Sequence, residues 1–123
     1  MTPLKGVVDA AGRVLVPLHL RANPQAQFLQ VEGWIDTGFT GDLVLSQATI
    51  SSLGLPLSGT ALAQLADGST VTVTRYSCLI DWLDKDLQVE AVANDGRFPL
   101  IGFGLLRGHK LTIDYSTQSV SIQ

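Results

Sequence analysis

Apolar and polar residues alternate over short runs along most of this chain, and the runs are broken too often by turn residues to be helices. Leu4 to Val8 forms a first run, Asp9-Ala10-Ala11-Gly12 reads as a turn, and Arg13 to Leu20 returns with Val14, Val16 and Leu18 on one face. Asn23-Pro24 interrupts that pattern and Phe28 to Ile35 resumes it. Leu43-Val44-Leu45 is a short apolar strand. Ser46 then reads as the N-cap of a helix from Gln47 to Leu53, stopped by Gly54 and Pro56. Thr60 to Leu65 and Thr70 to Thr74 flank Ala66-Asp67-Gly68-Ser69, which predicts a hairpin with Asp67-Gly68 as a two-residue turn at positive φ. Ser77 to Trp82 and Leu87 to Val92 follow, joined by an Asp84-Lys85-Asp86 turn, and Lys110 to Tyr115 with Ser119 to Ile122 predict a closing hairpin. Short strands with frequent turns and no internal repeat or linker predict an all-β fold, a small barrel occupying residues 1–123 as a single domain.

Composition narrows the function. With 123 residues and 46% hydrophobic content the chain can bury one core. A net charge of −3 with only eight Lys and Arg in total and no basic cluster leaves no electrostatic footprint for nucleic acid. No apolar run approaches the ~18 residues that would cross a bilayer, and Met1 to Gly6 lacks the apolar stretch of a signal peptide. The expectation is a cytoplasmic protein with no membrane partner. Cys78 is the sole cysteine and sits in an apolar setting between Tyr76 and Ile80, where a small buried hydrophobe is expected. His19 and His109 are far apart and lack metal-ligand spacing, so neither a metal nor an organic cofactor is expected.

The chemistry concentrates in Trp34-Ile35-Asp36-Thr37-Gly38-Phe39-Thr40-Gly41. One carboxylate directly follows an apolar strand, and a hydroxyl and two glycines come next. A carboxylate acting on a water or a carbonyl needs a fixed orientation and close backbone approach, and this order of residues supplies both. Asp81 and Asp114 also follow apolar residues, but an aromatic residue comes next in each case, and Asp67 belongs to a turn.

The Asp36-Thr37-Gly38 segment resembles the active-site loop of the retropepsin-like aspartic proteases, in which two apolar residues precede Asp-Thr-Gly or Asp-Ser-Gly; the Phe-Thr-Gly continuation is similar to the bacterial branch. Pro99-Leu100-Ile101-Gly102-Phe103-Gly104 resembles the second signature of that family, an apolar pair and a Gly leading into a short helix. The resemblance covers nearly the whole chain. It implies a retropepsin-like acid protease barrel with one or two short helices and one lobe per chain. Retroviral members often carry an Asp two residues beyond the triplet Gly and an Arg just after the second-signature Gly, which pair; Thr40 and Phe103 occupy those positions here. Losing both members of a buried ion pair costs less than losing one.

The resemblance also implies roles. Asp36 is the acid/base residue, Thr37 braces the loop across a dimer axis, and Gly38 admits a substrate carbonyl or the opposing loop. Ala66, Asp67, Gly68 and Ser69 form a flap that covers a peptide substrate, and Leu100, Ile101 and Gly102 support the floor. Hydrolysis of this type uses two carboxylates that share a proton around one water. With one such Asp per chain, the second is expected from a two-fold copy, giving a homodimeric endopeptidase acting on a peptide or protein substrate. The alternative reading is a non-catalytic module of the same fold that dimerises or binds extended peptides without cutting them.

Overall fold

The computed structural model describes residues 2–123. Ten strands and two short helices run in the order β1 (Leu4–Val8), β2 (Val14–Arg21), β3 (Leu29–Ile35), β4 (Leu43–Ser46), α1 (Gln47–Leu53), β5 (Leu57–Gln64), β6 (Thr70–Trp82), β7 (Lys85–Asn94), β8 (Leu100–Ile101), α2 (Phe103–Leu106), β9 (Leu111–Asp114) and β10 (Ser119–Ile122). The strands form one sheet in the order β5-β6-β7-β4-β8-β3-β2-β1-β10-β9, and β6 also pairs with β2. That extra pairing, with His19 opposite Asp81 and Arg21 opposite Leu79, closes β2, β3, β8, β4, β7 and β6 into a barrel. The all-β barrel expected from the alternation is therefore present. β6 can serve both closure and hairpin because it is 13 residues long: one end reaches β2 and the other pairs with β5.

The core follows from strand alternation. In β2, Val16, Leu18 and Leu20 are fully buried, while Pro17, His19 and Arg21 are only partly so. Leu43, Leu45, Ile80 and Ile101 are likewise fully buried, with Trp82 nearly so. Each such aliphatic side chain contributes roughly 1.5–3 kcal/mol by leaving water. Gly33 lies on β3 where a Cβ would press within 2.7 Å of both Ile101 Cδ1 and Leu18 Cδ1. Burial pushes the Cys78 thiol up to about 11, so it is a neutral core group near pH 7. No helix among the described residues is long and apolar enough to cross a membrane.

Helix α1 begins and ends where its local chemistry dictates. The Ser46 side chain accepts the Thr49 N–H at 3.1 Å, and Gly54 takes the left-handed conformation at the C-terminus with φ 67°.

Two turns depart from the sequence reading. At the β5–β6 hairpin, Gly68 N–H donates to the Leu65 carbonyl at 2.9 Å and Leu65 N–H donates to Ser69 O at 2.8 Å. Only Gly68 there has positive φ (87°), so the tip is a turn over Leu65–Gly68 that ends in a left-handed glycine, rather than a two-residue Asp-Gly turn. The Asp67 carboxylate accepts the Ser69 backbone N–H at 2.9 Å and its hydroxyl at 2.6 Å, and these bonds favour the longer loop. Ser69 thereby holds the Asp67 carboxyl below the usual carboxylate range, its hydroxyl bond being the larger cause and its N–H the next. The two-residue turn occurs instead at Leu83-Asp84, with φ 51° and 67°, placing Trp82 opposite Lys85. A leucine tolerates this region because its side chain is buried in the core, an offset that local sequence does not display.

Candidate active site

The geometry around Asp36 is set by a two-residue strand. β8 runs parallel to β3, with Ile35 opposite Ile101, and antiparallel to β4, with Leu43 opposite Ile101. It is therefore wedged between the strand that delivers Asp36 and the strand that carries the chain away. The connecting segment must arch over the end of β8, where Gly102 passes beneath it. Three backbone bonds fasten this crossing: Gly102 N–H to Asp42 O at 2.9 Å, Phe103 N–H to Phe39 O at 2.7 Å and Gly104 N–H to Gly41 O at 2.9 Å. A Cβ on Gly102 would collide with the Gly41 carbonyl oxygen and the Phe39 ring.

Within the arch, Asp36 N–H donates to Ile101 O at 2.9 Å, and Phe39 N–H closes a turn on Asp36 O at 3.1 Å. Asp36 Oδ1 accepts the Gly38 N–H at 3.0 Å, so the carboxylate is oriented by its own loop. Asp36 is half-buried, whereas Thr37 and Gly38 are exposed. A Cβ on Gly38 would lie 3.3 Å from Asp36 Oδ1, close enough to crowd the carboxylate.

Two clefts flank the arch. One, of about 390 Å³, is lined by Trp34, Ile35, Asp36 and Leu100. The other, of about 410 Å³, lies between Gly38 to Asp42 and the stem of the β5–β6 hairpin, with Ala61, Ala63, Val73 and Arg75 along its wall. The site residues expected from the sequence are thus distributed unequally. Asp36 and Leu100 meet in the first cleft, and Gly38 lines the second. Ile101 is a core residue that supports the arch from below, and Gly102 is the buried crossing point. Ala66, Asp67, Gly68 and Ser69 stand exposed at the hairpin tip and line neither cleft, while the hairpin stem lines the second.

Asp42 is the residue that sequence reasoning missed. Its Oδ2 accepts the Glu90 backbone N–H from β7 at 3.0 Å, and its Oδ1 fills the space that a side chain on Gly104 would need. Thr40 and Phe103 carry no charge, and the arch is braced by this carboxylate and by the backbone ladder. The Phe103 side chain is exposed, with the Arg107 guanidinium 5.0 Å from its ring centroid. The available signal was the joint presence of Gly41-Asp42 and Gly104. No group of three or more His, Cys, Asp or Glu that could hold a metal ion occurs among the described residues.

Gly102→Ala tests the crossing. Backbone lies on the far side of the added methyl, so the expected loss is about 2–3 kcal/mol of unfolding free energy, read by urea titration. An unchanged midpoint would show that the arch does not rest on Gly102.

No protein-family model matches the chain, and no curated protein matches it in sequence. Among solved structures, the chain is similar to a retropepsin-like aspartic protease from Rickettsia conorii, with a TM-score of 0.64 and 15% identity over 98% of this chain and 90% of that one. The fold is therefore retropepsin-like.

Proposed function

We propose that this protein is an aspartic endopeptidase whose catalytic carboxylate is Asp36, paired with Asp36 of a second copy across a two-fold axis. The observation that carries the reading is the held carboxylate: a half-buried Asp36 fixed by the Gly38 N–H on a loop locked over Gly102, within a retropepsin-like barrel. A solvated surface acid would need neither the arch nor the glycine beneath it.

In this mechanism one carboxylate takes a proton from a water lodged between the pair. The water oxygen attacks the scissile carbonyl carbon, and the protonated partner hydrogen-bonds the developing oxyanion. Proton return to the leaving nitrogen completes cleavage. The Asp36 cleft contains no second carboxylate, and Asp42, the next acid along the chain, is committed to the Glu90 N–H. A second subunit is the simplest source of the missing group. The exposure of Thr37 and Gly38 beside Asp36 supports that arrangement. Digestion of an unbiased peptide library tests the reading: discrete internal cleavages support it, and none across the library favours a peptide-binding module without catalysis.

The β5–β6 hairpin serves as the flap. None of its β5 residues is buried, and Leu62 is 77% exposed, so little packing holds it against the barrel. Gly68→Val forces a β-branched residue into positive φ at the tip. The expected outcome is a fall in kcat/KM of about tenfold in a protein that stays folded, with only the backbone strain, about 1–2 kcal/mol, lost in stability because the tip buries nothing. A loss of turnover that only tracks unfolding, or unchanged hydrolysis, would remove the flap role.

A further inference from the structure

We infer that Arg75 determines specificity by selecting an acidic side chain, Asp or Glu, of the peptide substrate in the cleft between the arch and the hairpin stem. The inference rests on the peptide-hydrolase reading above and adds to it a substrate class.

Arg75 lies on β6 and lines that cleft among small and apolar neighbours, Ala61, Ala63, Val73 and Val92. Its Nε is buried with no hydrogen-bond partner, and the two ion pairs found among the described residues, Arg13–Asp9 and Arg21–Asp86, do not include it. A guanidinium in such surroundings requires an acceptor, since an unpaired buried donor forfeits its hydration.

The two acids that share the cleft are engaged elsewhere. Glu90 Oε2 accepts the Ser58 hydroxyl, and Asp42 Oδ2 accepts the Glu90 backbone N–H while its other oxygen occupies the space beside Gly104. The β5 backbone runs alongside the cation. Opposite Arg75 in the ladder stands Gly59, at φ 143° and next to a shift in register, where a Cβ would sit 3.4 Å from Arg75 Nη2. A planar fork of donors on the wall of this cleft matches a carboxylate bidentately.

The test uses alanine-rich octapeptides carrying one Glu, Asp, Gln, Asn or Lys at each position in turn around a fixed cleavable bond. Wild-type protein should cleave the Glu or Asp peptide at one position at least about tenfold faster in kcat/KM than its amide counterpart. In Arg75→Gln the acid-to-amide ratio should collapse toward one, and in Arg75→Glu the same position should come to favour Lys. A wild-type ratio near one at every position overturns the inference whether or not the variants fold, and leaves the protease reading intact. The same peptides are also titrated by fluorescence anisotropy against Asp36→Asn protein. Tighter binding of the acidic member without any wild-type cleavage supports Arg75 recognition and sinks the protease. Equal binding of the two members sinks the inference.

Discussion

Asp36→Asn is expected to cripple peptide hydrolysis, lowering kcat by at least about a hundredfold, while leaving the fold in place. Loss of a general acid/base group typically removes two to four orders of magnitude, and an amide cannot take the proton from the attacking water. Stability should hold because an Asn side-chain oxygen can still accept the Gly38 N–H, and the Ile101 and Phe39 bonds to residue 36 involve only backbone. Asp36→Ala provides the comparison. It removes the acceptor as well, so it should lose the same activity and about 0.5–2 kcal/mol of stability besides. Wild-type kcat in a folded Asp36→Asn protein would show that the carboxylate merely satisfies its loop, and the catalytic reading would fall.

How far the chain discloses its own structure depends on how local the responsible physics is. Helix α1 was legible to its ends because Ser46 and Gly54 act within one turn of the residues they terminate. The strands were legible from alternation, although their ends were not: β6 continues from Thr70 without a break to Trp82, where the sequence suggested two pieces. The left-handed turn at Leu83-Asp84 was hidden, since only tertiary burial of Leu83 makes it tolerable. Barrel closure was hidden for a related reason. Pairing His19 with Asp81 is a register between strands distant in sequence, and neither residue type announces it.

The candidate site divides in the same way. Asp36 and Gly102 stand in recognisable strings, because an oriented acid and a backbone crossing each demand particular residues at fixed neighbours. Asp42 and Arg75 stand in no string at all. The first is defined by Glu90 on β7 and Gly104 beyond β8, and the second by the walls of a cleft assembled from β5, β6, β7 and the arch. Such residues become visible only when the sheet order is known.

Activity per chain is expected to fall on dilution, because the site proposed here is complete only when two arches meet. Below the dimer dissociation constant the active species scales with the square of total protein, so a tenfold dilution should lower the rate per chain by about tenfold. Asp36→Asn chains supply an independent arm. Mixed above the dissociation constant with a roughly ninefold excess of them, about one wild-type chain in ten would find a wild-type partner, and activity should drop accordingly once subunits have exchanged. The exposed Thr37 and Gly38 and the half-buried Asp36 motivate this expectation, together with an Asp36 cleft that holds a single carboxylate. Sedimentation at the assay concentrations fixes the species present. A monomer with constant activity per chain across the dilution series, unaffected by excess Asp36→Asn protein, would exclude a site shared between two copies and require a second acid within one chain. Asp42 would then be the residue to examine, and its commitment to the Glu90 N–H is the reason to expect that it will not serve.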